Sequence, residues 1–132
     1  MSHPRCVSVA AAAVVVAALS GHARAERSII DNRATLEHDC AKDPEIALVG
    51  NHIKLTTKGV CTKISISGNH EIVTGSATVV SISGNHNTVT LAAADDVMIA
   101  GNSNTVSIAK SVKLKAPRVA NSGTDNRITQ PR

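Results

Sequence analysis

From Ile46 onward the chain alternates aliphatic with small or polar side chains in short bursts, and every burst ends in a similar corner phrase. Four segments align without gaps: Ile46-Ala47-Leu48-Val49-Gly50-Asn51-His52, Ile64-Ser65-Ile66-Ser67-Gly68-Asn69-His70, Val80-Ser81-Ile82-Ser83-Gly84-Asn85-His86 and Val97-Met98-Ile99-Ala100-Gly101-Asn102-Ser103. Val119-Ala120-Asn121-Ser122-Gly123-Thr124-Asp125 is a worn fifth copy. The glycines are 18, 16, 17 and 22 residues apart, and the register persists beyond them. Five positions after each glycine stand Leu55, Val73, Val89, Val106 and Ile128, followed by Thr56, Thr74, Thr90, Ser107 and Thr129. Alternation of period two marks short half-buried strands, and the β-branched content agrees. The Gly-Asn pair is expected to supply the positive φ values of a sharp corner.

One unit carries too few inward aliphatic side chains to bury them alone, so like units must stack. The pattern therefore predicts an all-β fold: a short, single-stranded β-solenoid, parallel β-helix-like, of about five coils. Equivalent residues would stand roughly 4.8 Å apart. Ile46, Ile64, Val80, Val97 and Val119 then form one aliphatic column, and Leu48, Ile66, Ile82 and Ile99 another. Asn121 ends the second column, as a polar cap would. Asp31-Asn32-Arg33-Ala34-Thr35 echoes Asp125-Asn126-Arg127-Ile128-Thr129 and suggests a worn first rung. A β-hairpin meander or sandwich, with Gly-Asn as each turn, fits the same alternation.

The first 25 residues stand apart. Arg5, an apolar run from Cys6 to Leu19 and Ala23-Arg24-Ala25 form a secretory leader pattern with cleavage before Glu26. The run is short of the about 20 apolar residues of a comfortable membrane span, and no second such stretch follows. No cysteine sits just after it for lipid attachment. The expected organisation is a signal peptide over 1–25, an N-terminal cap over 26–39, solenoid repeats over 40–109, and a basic cap with the last degraded repeat over 110–132. Expected localisation is secreted or periplasmic.

Loss of the leader removes Arg5, Arg24 and Cys6, leaving 107 residues with 12 basic and 10 acidic side chains. The net charge drops from +4 to +2, too little to attract nucleic acid or anionic lipid as a whole molecule. Cys40 and Cys61 remain, an even count that in an exported protein argues for a disulfide. Cys61 lies seven residues before Gly68 and Cys40 ten before Gly50, so a three-residue insertion around Asp43-Pro44-Glu45 brings both into one column. Closing that 22-residue loop contributes about 3 kcal/mol in the chain-entropy model. The chain has no Phe, Trp or Tyr, so aromatic platforms for sugars, bases or methylated lysines are excluded.

The phrase Ile82-Ser83-Gly84-Asn85-His86-Asn87-Thr88-Val89-Thr90, with the leader and the cysteine pair, resembles the bacterial exported family catalogued as domain of unknown function 3060. The resemblance covers residues 40–110 and departs at Ser103, which replaces histidine. It implies a secreted, periplasmic or cell-surface location and no established activity.

Candidate chemistry is sparse. His52, His70 and His86 share one column and are the candidate ligands for a Zn²⁺ or Cu²⁺ ion; otherwise they simply cap corners. Asn51, Asn69, Asn85 and Asn102 predict a stacked amide ladder, while Asn87, Asn104 and Asn126 stand where earlier units have Ile53 and Glu71. The Thr row is a uniform hydroxyl surface of the kind that orders water, and outward Thr is also ordinary strand chemistry. Asp95-Asp96, the one adjacent carboxylate pair, reads as a solvated turn, because strand neighbours face opposite ways. Lys110, Lys113, Lys115 and Arg118 are expected to guard a sheet edge. No nucleophile-base constellation, phosphate-cradling loop or Cys-x-x-Cys motif is present. These residues point to a non-enzymatic scaffold with an envelope or extracellular partner, no nucleic acid, no membrane span and no cofactor. The alternative is a metal-binding module built on the histidine ladder.

Overall fold

The computed structural model describes residues 27–131; the leader reading, with Cys6 and the cleavage before Glu26, lies outside them. Among the described residues nine strands make one sheet: β1 Arg27–Asn32, β2 Thr35–Asp39, β3 Glu45–Asn51, β4 Lys54–Asn69, β5 Ile72–Ser83, β6 Thr88–Ala100, β7 Thr105–Ile108, β8 Arg118–Ser122 and β9 Arg127–Thr129. All eight pairings among them are parallel. A meander is antiparallel by construction, so this rules it out. The long strands β4, β5 and β6 each finish one coil and begin the next, bending where the register shifts near Thr56/Val60 and Gly75/Ser76. Counted by the segments that precede each corner, the described residues form six coils, one more than the repeats alone suggest.

The extra coil is β1 and β2, the worn first rung that the Asp31–Thr35 echo suggests. Its echo of the last rung is two positions out of register. Asp31 lies opposite Gly50 and Asn32 opposite Asn51, whereas Asn126 falls in line with Asn104. Inward columns follow the predicted alternation. Ile46, Ile64, Val80 and Val97 are buried, as are Leu48, Ile66, Ile82 and Ile99, and Leu55, Val73, Val89 and Val106. Ile29, Leu36, Val119 and Ile128 close the ends half-buried. Each such aliphatic side chain is worth roughly 1.5–3 kcal/mol, which replaces the missing aromatic core.

Cys40 and Cys61 form the disulfide, with Cα atoms 4.9 Å apart and Cys61 in the column of Ala77 and Ala94. The insertion that brings Cys40 into place is a turn over Cys40–Lys42, slightly earlier than the spacing suggested, with Lys42 and Asp43 N–H both donating to the Asp39 carbonyl. His38 is buried beside it, its Nε2 donating to the Asp43 carbonyl at 2.7 Å.

The corners depart from expectation in one respect. Glycines 50, 68, 84 and 101 take positive φ, but the following asparagines do not; the left-handed position is the next residue. Arg33, His52, His70, His86, Ser103 and Asp125 all have φ between 57° and 63°. Histidine and Asp are among the side chains that tolerate that region best, so the histidine column has a backbone reason to exist.

Candidate functional site

Two ladders run through the corners. The outer one follows the prediction: backbone N–H groups of Asn69, Asn85 and Asn102 donate to the side-chain oxygens of Asn51, Asn69 and Asn85 at 3.2, 3.0 and 2.9 Å. It extends further at both ends, from Asn32 below to Thr124 above, whose N–H and hydroxyl both donate to Asn102. The inner ladder was not anticipated as a ladder. Backbone N–H groups of Glu71, Asn87 and Asn104 each donate at 2.9 Å to the amide oxygen one coil on, of Asn87, Asn104 and Asn126 respectively. The Nδ2 groups of those three asparagines return hydrogen bonds to the carbonyls of Gly68, Gly84 and Gly101. Asn87 and Asn104 are fully buried. The signal was present in the alternation, because the third position after glycine has the same parity as the inward fifth.

Glu71 occupies the inner ladder one coil before Asn87 and has no exposed surface. Neither carboxyl oxygen has a hydrogen-bond partner, and burial alone pushes its pKa up to about 7. A carboxyl in this setting keeps its proton well above the ordinary carboxylate range.

The histidines do come together. His52, His70 and His86 stack with ring centroids 5.0 Å apart and planes within 3°. Nitrogen lone pairs lie in the ring planes, so equivalent lone pairs run parallel instead of converging. A shared ion with metal–nitrogen distances of about 2.1 Å requires nitrogens no more than about 4.2 Å apart. Stacked this way, the rings do not chelate. Among the described residues no group of three or more His, Cys, Asp and Glu side chains is placed to hold a metal ion.

The acidic pair is divided differently from the sequence expectation. Asp95 is not a solvated turn residue but buried, accepting backbone N–H bonds from Val112, Lys113 and Leu114 at 2.7 to 3.2 Å. Desolvation alone would raise its pKa; hydrogen bonds from Lys113, Leu114 and Val112, with the charge of Lys113, outweigh that and hold it below 3.8. Asp96 faces out and pairs with Arg118 through two contacts, 2.7 and 3.0 Å. Lys110, Lys113 and Lys115 therefore lie in an irregular loop between β7 and β8 tied down by Asp95, while Arg118 opens β8, a strand paired on one side only among the described residues. Replacing Asp95 with Ala should free this loop, raising trypsin cleavage at Lys110, Lys113 and Lys115 on the order of tenfold while the coils stay folded. Unchanged cleavage would show the loop is held by something else. Because the folded pKa is depressed, the tie is kept at neutral pH and lost as pH falls through and below 3.8.

Outside these features the surface is plain. One outward row is Thr56, Thr74, Thr90, Ser107 and Thr129, with Glu37 beneath it; the neighbouring row is mixed, with Lys54, Ile72, Thr88, Thr105 and Arg127. Two further outward rows carry Ser65, Ser67, Ser81 and Ser83 with Ala47, Ala100 and Ala120, and in the same rows the exposed Ile30, Val49 and Met98. Open grooves among the described residues include one of about 530 Å³ beside Asp96, Met98 and Arg118 and one of about 440 Å³ beside Thr57, Gly59, Thr74 and Thr90. In the first the only titratable groups are the ion-paired Asp96 and Arg118, and the second has none. No described helix is long and apolar enough to cross a membrane.

No curated protein and no solved structure matches the chain. A family model does, twice and with overlap, over residues 48–95 and 71–125. The double match repeats the coil repetition just described, and it spans more than half of the sequence. The chain belongs to the family of proteins of unknown function DUF3060.

Proposed function

We propose that the protein is an exported, non-enzymatic scaffold of the cell envelope or extracellular space, a short rigid rod whose faces present serine, threonine and small side chains, interrupted by the exposed Val49, Ile72 and Met98, to a partner. The observation that carries this reading is the disulfide between Cys40 and Cys61, which fastens the first two turns of the rod. Structural disulfides persist in oxidising compartments and suit a small core without aromatic residues. The six-coil stack supports rigidity, because every coil is hydrogen bonded to its neighbours by strand ladders and by the corner asparagines. The faces support contact by shape instead of catalysis, since the titratable side chains near the grooves are spent on an ion pair.

Fractionation of expressing cells, followed by intact mass measurement with and without thiol alkylation, tests export. The expected species begins at Glu26, is recovered from the periplasm or medium, and takes up no alkylating reagent before reduction. Recovery in the cytoplasm with residues 1–25 retained and both thiols reactive would overturn it. A substrate turned over by the purified chain would overturn the non-enzymatic part separately.

A further inference from the structure

Coil stacking in this protein imposes one steric rule. At Gly50, Gly68, Gly84, Gly101 and Gly123 a Cβ would overlap the backbone carbonyl oxygen of the corner one coil earlier, with the carbonyl carbon 2.8 to 2.9 Å away. Any coil laid on top of another must therefore bring glycine to this position. The first coil has Asp31 there, opposite Gly50. Its carboxylate is turned to a definite use: Oδ1 accepts the N–H of Asn32 at 2.7 Å. In the second to fifth coils the equivalent N–H, of Asn51, Asn69, Asn85 or Asn102, donates to the asparagine of the coil before. Asp31 thus fills the very place that a preceding coil would take.

We infer that Asp31 is a stop that prevents a second copy of this chain from stacking its last coil beneath the first. Without the stop the two ends would match in part. The last coil carries Asp125 in the left-handed corner column and the first carries Arg33 in the same column, so a head-to-tail junction sets opposite charges one coil spacing apart. Among the described residues β8 and β9 at one end and β1 and β2 at the other each have a strand partner on one side only, and such an edge is a template for pairing. Heterologous head-to-tail contacts of this kind do not close and so generate filaments. The collision at Asp31 removes that route, and the Asn126 to Asn121 hydrogen bond at 2.7 Å adds a polar plug at the far end.

Sedimentation equilibrium on the purified protein and four variants tests the stop. Wild type, Asp31→Ala and Asp31→Asn all keep a Cβ and should remain monomeric. Asp31→Gly should self-associate on the order of tenfold or more tightly than Asp31→Ala, with further strengthening when Asn121→Ile is added. Crosslinks in the associated species should join residues near Arg33 to residues near Asp125. Equal behaviour of Asp31→Gly and Asp31→Ala would overturn the proposal, as would wild type that already assembles head to tail. Circular dichroism of each variant separates association of folded coils from aggregation of unfolded chain, and a loss of β signal in Asp31→Gly before association would count against the stop.

Discussion

Replacing Gly84 with Ala should be among the most damaging single changes this chain can suffer, costing on the order of 4 kcal/mol or more. Three costs coincide at this corner. The residue has φ of +136°, where an L side chain is strained. Its new Cβ would overlap the Gly68 carbonyl oxygen, with the carbonyl carbon at 2.8 Å and the backbone nitrogen at 3.2 Å. Nothing flexible is available to yield, because the obstacle is backbone. That same carbonyl accepts Nδ2 of Asn87 at 3.0 Å, so pushing it aside also leaves a buried amide without its acceptor. Gly59 provides the internal control. It has φ of +75°, but the nearest atom to an added Cβ is 3.8 Å away, so Gly59→Ala bears the backbone strain alone, about 1 to 2 kcal/mol. Denaturant melts of the two variants check the contrast. Equal losses would mean that coil contact at the corner is softer than the geometry requires.

That comparison also marks how far the sequence could be read. Stacking, strand positions, the aliphatic columns, the outer asparagine ladder and the cysteine pairing all follow from period-two alternation around a fixed phrase, and each is found in place. Parity and register are one-dimensional properties, so a single chain displays them. What escaped depends on what lies one coil away. Asp95 looked solvated because its partners are backbone N–H groups 17 to 19 residues later, which no side-chain pattern reveals. The first coil is legible only as a faint echo, because Asp31 stands where every later corner has glycine. Among the described residues no coil precedes it, so there the glycine rule does not apply. The histidine column was visible, but its meaning was not: stacked parallel rings at left-handed corners satisfy the backbone and leave their lone pairs side by side.

Glu71 gives the second large effect, and its sign is opposite to that of most acidic residues. In the unfolded chain its carboxyl titrates near 4.5; in the fold desolvation moves it to about 7. Below 4.5 both states hold the proton and the full stability is present. Between 4.5 and 7 the unfolded chain ionises while the folded one does not, so stability falls as pH rises and levels off above about 7. The total loss is on the order of 3 kcal/mol. The ladder explains why a neutral acid is tolerated here. Asn87, Asn104 and Asn126 each donate to the glycine carbonyl of the coil before, and the equivalent acceptor for residue 71 is the Gly50 carbonyl. A protonated carboxyl has a donor for that role, whereas a carboxylate has none. Glu71→Asn supplies the residue used by the next three coils. It should be more stable than wild type at pH 8 and lose the advantage at pH 4.5, and Glu71→Gln should likewise abolish this share of the pH slope. Thermal melts across pH 4 to 9 decide the matter, because wild type and Glu71→Gln running parallel over that range would mean that the buried carboxyl is not what titrates.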